Sequence, residues 1–127
     1  VSYCTFPFIS VWVWSVQDLP NWHSDIALYD PGEEYWDVLA LDLYSDSHLY
    51  IFTTEKYELI ANYAAGRVIA IGECEVIPPE RVLDEQPLWA YFLLWADVAL
   101  DNHYNQDRFQ SAFFDSISQA DLFGWQS

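Results

Sequence analysis

The segment RVIAIGECEVIPPE, residues 67–80, decides the fold of this chain. Its first half is an apolar run of Val and Ile, which favours a β-strand. The run ends at Gly72 and Glu73, and Glu75 follows with the same alternation of side chains. Two prolines then prevent a helix from forming directly after it. The segment therefore predicts a buried strand that carries a carboxylate at its carboxyl end.

Three further runs of strand-forming residues share this character. They are FPFISVWVWSV (residues 6–16), YWDVLALDLY (35–44) and LWAYFLLWADV (88–98). Nearly continuous apolar strands are typical of parallel sheets that are buried on both faces. We predict four parallel strands, adjacent in chain order, near residues 8–16, 37–43, 67–72 and 90–95.

Helical spacing lies between the second and third predicted strands and again near the end of the chain. Tyr57, Ile60 and Ala64 recur at intervals of three and four residues, with Thr54 as a candidate cap and Gly66 as the terminator. Residues 107–123 form a second helical pattern. The alternation of strands with helices and loops predicts α/β architecture.

Composition limits the classes of function. The 127 residues amount to one domain or part of one, and 53% hydrophobic content excludes a disordered chain. A net charge of −16 with only four basic residues repels phosphate backbones, so we expect no nucleic-acid partner. A neutral ligand is not repelled, and the acidity also fits a solubility device or a salt adaptation. No apolar run is long enough for a membrane span, and no signal peptide is visible.

Cysteine and histidine spacing gives no sign of a metal site. Cys4 and Cys74 fit no ligand pattern, and whether they form a disulfide stays open at this point. The three histidines lie in polar segments without ligand spacing. We therefore predict neither a metal nor a cofactor.

Polar and aromatic residues stand at the ends of the predicted strands. They are Trp14 on the first, Asp42 and Tyr44 on the second, Glu73 on the third, and Trp95 with Asp97 on the fourth. In a (β/α) barrel the active site is built at the carboxyl ends of the strands. Carboxylates perform glycosidic chemistry, and indole rings offer flat apolar faces to sugar rings. The pattern predicts a sugar site.

Three motifs carry a resemblance to a known family. VWVWSV (11–16), YDPGEEYWDVLALDLYSD (29–46) and VIAIGECEVIPPERVLDEQPLWAYFLLW (68–95) occur in order at plausible spacing. Together they resemble the second half of glycoside hydrolase family 26, the endo-β-1,4-mannanases and related β-glycanases. The resemblance implies the C-terminal half of a (β/α)8 TIM-type barrel, about strands five to eight, with residues 1–127 as a partial domain.

The same resemblance implies roles for individual residues. Glu73 matches the nucleophile, Tyr44 the tyrosine that hydrogen-bonds it, Asp42 the aspartate two residues earlier, and Trp95 the sugar platform. Trp14 is a further candidate for substrate binding, with core packing as its alternative. Glu73 itself has a plain alternative as a strand-end carboxylate that makes a loop hydrogen bond.

Two departures from the family pattern stand out. The family often has Glu-Val-Gly at the nucleophile, whereas this chain has Glu73, Cys74 and Glu75. The family's acid/base glutamate follows the fourth strand, and this sequence begins near the expected fifth. We therefore expect that residue in an N-terminal half that is missing from this sequence.

These observations favour a retaining glycoside hydrolase that acts on β-mannan or a related β-glycan outside the cell. Its expected partners are the polysaccharide and either the missing half-barrel or another chain of an assembly. Two alternatives stay open: a glycan-binding module that does not cleave, and a structural subunit that keeps a barrel remnant.

Overall fold

The computed structural model describes residues 10–18, 25–44, 51–96 and residue 105. Four strands lie in this part of the chain: β1 (Val13–Gln17), β2 (Val38–Leu43), β3 (Val68–Cys74) and β4 (Trp89–Leu94). Two α-helices, α1 (Thr54–Ala64) and α2 (Glu80–Glu85), lie between the later strands, and two short 3-10 turns (Ile26–Leu28 and Glu33–Tyr35) precede β2.

The four strands form one sheet in the order β1-β2-β3-β4, and every neighbouring pair is parallel. This confirms the predicted parallel sheet and its order. The first predicted strand, near residues 8–16, is shorter in the described region, because β1 begins at Val13 and ends at Gln17. The helical pattern at residues 107–123 lies outside the described residues.

Helix α1 has the predicted position, with a different cap. Thr53, and not Thr54, is the N-cap, and its side chain accepts a hydrogen bond from the Lys56 backbone N–H. The helix ends at Ala64, and its C-cap, Ala65, adopts the left-handed conformation at φ 51°, followed by Gly66 at φ 90°. The terminating turn therefore takes two consecutive positive φ angles, of which glycine tolerates one without strain.

The main core lies between the sheet and its helices. Leu39, Leu41 and Leu43 of β2 alternate toward this side, where they pack with Ile69 and Ile71 of β3. Each of these side chains is almost completely buried. Strand side chains point alternately to the two faces, so the intervening residues of each strand lie on the opposite face.

The opposite face of the sheet is only partly covered. Val38, Ala40 and Ala70 form a small buried cluster there. On either side of this cluster, Val13 and Val68 are 46% and 49% exposed.

Among the described residues, no helix is long and apolar enough to cross a membrane.

Three hydrogen bonds to the Asp30 carboxylate fix the segment that leads into β2. The Asp30 carboxylate accepts hydrogen bonds from the Gly32 backbone N–H at 2.8 Å, the Trp36 indole at 3.3 Å and the Tyr63 hydroxyl at 2.8 Å. Burial raises the pKa of Asp30, but these donors and the charge of Arg67 outweigh burial and hold it below its usual value. The hydrogen bond from Tyr63 attaches this segment to α1. The Arg67 guanidinium stacks over the Trp36 ring, with its Cζ atom 4.3 Å from the ring centroid.

Candidate active site

A register shift brings the site carboxylates to the same side of the sheet. Leu41 pairs with Ile71, but the next pair is Asp42 with Glu73, so Gly72 is an extra residue in β3. Without this shift, strict alternation after Ile71 would place Glu73 on the helix-facing side. Irregularities of this kind re-aim side chains, and they are common beside active sites. Here the shift places Glu73 beside Asp42 at the carboxyl ends of two adjacent strands.

Tyr44 holds the Glu73 carboxylate. The Tyr44 hydroxyl donates a hydrogen bond to Glu73 Oε2 at 2.9 Å, which confirms the predicted contact between these residues. Burial and the Glu73 acceptor raise the pKa of Tyr44 to about 12, although a hydrogen bond from the Trp95 side chain lowers it in part. Tyr44 is therefore a protonated donor at neutral pH.

Trp95 presents an aromatic surface next to Glu73. Its side chain is 57% exposed just after the end of β4. Together with Gly72, Glu73, Leu93 and Leu94 it lines a shallow depression of about 250 Å³. The structure thus brings Tyr44, Glu73 and Trp95 together, as the sequence predicted.

A second depression, of about 240 Å³, adjoins the first at Glu73. Its lining residues are Gln17, Asp18, Asp42, Tyr44 and Glu73. Burial, together with the charge of Glu73, raises the pKa of Asp42, while a hydrogen bond from Ser15 opposes that rise. Asp18 is paired with Lys56, which approaches it from α1. The depression is therefore polar and largely acidic.

Trp14 does not join this group. Its ring packs against Trp36 at 5.6 Å and against Tyr63 at 5.9 Å, on the helix-facing side of the sheet. The next residue, Ser15, points to the site side, because strand side chains alternate. Of the residues predicted to bind substrate, Asp42, Tyr44 and Trp95 surround Glu73, and Trp14 lies behind the sheet.

Cys74 separates the two neighbouring glutamates. It is fully buried, and its thiol donates to the Leu93 carbonyl at 3.4 Å. Burial first, and then the charge of Glu75, raises the pKa of this thiol to about 12, so it is an inert packing group. Cys74 is a free cysteine, and Cys4 lies outside the described residues. No cluster of possible metal ligands occurs in the described part of the chain.

Sequence reasoning missed several residues at the site. Ser15 and Gln17 were identifiable in principle, since alternation from the partly buried Val16 places both on one face, and Asp18 directly follows the strand. Asn105 gave no such signal. Its side chain is completely buried and makes two hydrogen bonds to the segment after β3: it accepts from the Ile77 N–H at 2.9 Å and donates to the Glu75 carbonyl at 2.8 Å.

Replacing Asn105 with Ala is expected to lower the free energy of unfolding by about 1–3 kcal/mol, because it removes two hydrogen bonds between the buried Asn105 side chain and partly buried backbone groups of the segment after β3. Urea unfolding followed by tryptophan fluorescence measures the change. The control is Asn62→Ala on the exposed surface of α1, for which we expect a change within about 0.5 kcal/mol. Equal stability of the two variants would contradict the assigned role of Asn105.

Comparisons with known proteins identify the family of this chain. The parallel α/β sheet carries a carboxylate, a tyrosine and an exposed tryptophan at the carboxyl ends of its strands, which is where barrel enzymes have their active sites. The model of glycosyl hydrolase family 26 matches residues 9–118, and the chain belongs to that family. This confirms the resemblance carried by the three sequence motifs.

One solved structure, GH26A from Muricauda sp. MAR_2010_75, is similar with a TM-score of 0.62 and 28% sequence identity. The similarity covers 76% of this chain and 31% of that protein, so the chain spans about a third of its length. No curated protein sequence matches this chain.

Proposed function

We propose that this chain supplies the nucleophile side of a retaining β-glycanase site, with Glu73 as the nucleophile. The observation that carries the proposal is the 2.9 Å hydrogen bond from Tyr44 to Glu73 at the ends of adjacent parallel strands. Family membership supports it, since the fold and the site motif occur together. Trp95, exposed beside Glu73, is the proposed platform for a sugar ring.

The contact with Tyr44 assigns separate tasks to the two oxygens of Glu73. Oε2 accepts the Tyr44 hydrogen bond, which leaves Oε1 to attack the anomeric carbon. As the bond from Oε1 to that carbon forms, the glycosidic C–O bond breaks, and an acid protonates the departing oxygen. Water, deprotonated by the group that had protonated the departing oxygen, then attacks the anomeric carbon from the side that the leaving group occupied. This breaks the bond between that carbon and Oε1, releases Glu73 and retains the anomeric configuration.

The acid requires a second carboxyl group roughly 5–5.5 Å from the first. Among the described residues, the carboxylates near Glu73 are either engaged by another side chain or separated from Glu73. Asp42 accepts a hydrogen bond from Ser15, Asp18 is paired with Lys56, and Glu75 lies beyond the buried Cys74. We therefore propose that the acid/base residue belongs to another part of a (β/α)8 barrel, of which these strands are about the fifth to the eighth.

The proposed substrate is β-mannan or a closely related β-glycan in the extracellular space. A neutral polysaccharide suits the chain's charge of −16, whereas an acidic one would be repelled. The experiment offers β-1,4-mannan, mixed-linkage β-glucan and β-1,3-xylan to the native protein and follows new reducing ends by proton NMR.

We expect the highest rate on mannan, with the β-anomer of the product appearing before mutarotation. Products that appear first as the α-anomer would contradict the retaining mechanism. Binding of these glycans without any hydrolysis would favour the alternative of a non-catalytic glycan-binding protein or structural subunit.

Replacing Tyr44 with Phe tests the assignment of the two oxygens. Hydrogen bonds to charged groups contribute about 1.5–3 kcal/mol, so we expect kcat/KM to fall roughly 10- to 150-fold. The matched control is Tyr91→Phe, at an exposed tyrosine on β4 that is outside both depressions. A Tyr44→Phe variant with the activity of the control would show that the hydroxyl does not assist Glu73.

A further inference from the structure

Three strands meet at Asp42 through two small residues. The Ser15 hydroxyl on β1 donates a hydrogen bond to Asp42 Oδ1 on β2 at 2.7 Å. On β3, Gly72 lies directly below this pair, where a Cβ atom would stand 2.5 Å from Asp42 Oδ1 and still closer to Ser15 Oγ. Real Cβ atoms essentially never approach a heavy atom so closely. The Ser15–Asp42 hydrogen bond therefore occupies space that only glycine leaves free.

We propose that Ser15 is a positioning residue of the glycan site: its hydroxyl fixes Oδ1 of Asp42 above Gly72, and Oδ2 is thereby presented to a hydroxyl group of the bound sugar. This inference rests on the proposed function, because it assigns the depression beside Glu73 to a glycan. Asp42 lines that depression together with Gln17 and Glu73. Carboxylates are strong acceptors for sugar hydroxyls when they are ionised.

The groups around Asp42 oppose its ionisation, and the hydrogen bond from Ser15 counteracts them. Glu73 faces it from β3, Tyr44 follows it at the end of its own strand, and Asp18, paired with Lys56, lies in the same depression. Burial and the negative charge of Glu73 favour the protonated form of Asp42. A hydroxyl that donates to the carboxylate favours the ionised form instead. Ser15 thus sets both the orientation of Asp42 and its readiness to accept a hydrogen bond.

The test compares Ser15→Ala, which removes the donor, with Ser15→Thr, which keeps it, in the native protein. Titration of the Asp42 side-chain carboxyl by ¹³C NMR reads the hydrogen bond without any need for activity. In a Glu73→Gln background, which prevents turnover, calorimetry measures the affinity for β-1,4-mannohexaose. Gly72→Ala is a second variant, because its methyl group would displace the Ser15–Asp42 pair from the other side.

We expect Ser15→Ala to raise the titration midpoint of Asp42. It should also weaken mannohexaose binding about tenfold, which is the effect of losing one hydrogen bond between a sugar hydroxyl and the charged Asp42 carboxylate. Ser15→Thr should stay close to the parent in both measurements, and Gly72→Ala should resemble Ser15→Ala. An unchanged titration midpoint of Asp42 in Ser15→Ala would overturn the inference. Equal losses of mannohexaose affinity in Ser15→Ala and Ser15→Thr would also overturn it. Failure of Glu73 as the nucleophile is a separate result, since neither measurement depends on hydrolysis.

Discussion

Replacement of Glu73 by Gln is expected to lower kcat on β-mannan by about 10⁴-fold or more, because in the proposed mechanism the Glu73 carboxylate forms the glycosyl-enzyme bond. Gln has nearly the same shape, and its amide oxygen can still accept the hydrogen bond from the Tyr44 hydroxyl. The fold and the site geometry should therefore survive. Reducing-sugar release measures the rate, and thermal unfolding verifies that the variant is folded.

The matched control for this variant is Glu75→Gln. It removes the same charge two residues further along, beyond the fully buried Cys74. We expect its rate to remain within a few-fold of the parent. Equal losses in the two variants would indicate a general electrostatic effect, and a larger loss in Glu75→Gln would remove Glu73 from the nucleophile position.

The second large effect concerns the 127 residues expressed alone, which we expect to be inactive on β-mannan and poorly soluble despite their charge. Loss of the carboxylic acid that protonates the leaving oxygen removes most of the rate. The sheet also has a partly uncovered face, on which Val13 and Val68 are about half exposed, and such surfaces promote aggregation.

Reducing-sugar assays and light scattering measure both properties of the isolated chain. Adding the proposed remainder of the barrel should restore turnover, and the same mixture with Glu73→Gln serves as the control. Robust turnover by the isolated chain, abolished by Glu73→Gln, would place the acid/base residue within these 127 residues and contradict the half-barrel proposal.

The strands, and the grouping of Tyr44, Glu73 and Trp95 at their ends, were accessible from sequence for a physical reason. Segments such as VLALDL in β2 and VIAIGEC in β3 are apolar on both faces, which is the condition for burial in a parallel sheet. The residue that follows such a run lies at the carboxyl edge of the sheet, so the sequence predicts Tyr44 and Trp95 beside Glu73.

The missed features depend on contacts between distant segments. Trp14 was predicted at the end of the first strand, but β1 continues to Gln17, and its alternation turns Trp14 toward Trp36 and Tyr63. The register shift at Gly72 arises from the pairing of β2 with β3, and no local sequence pattern predicts it. Asn105 contacts residues about 30 positions earlier in the chain, so its role is visible only in the folded protein.

The most direct test of Glu73 as the nucleophile is covalent trapping. A 2-deoxy-2-fluoro-β-mannobiosyl fluoride slows release of the glycosyl-enzyme, and its fluoride leaving group needs no acid, so the nucleophile is examined by itself. Trypsin then releases residues 68–81, a peptide that contains Glu73, Glu75 and Glu80. Fragment masses should place the sugar on Glu73 alone, and a label on Glu75 or on another carboxylate, with Glu73 unmodified, would contradict the account.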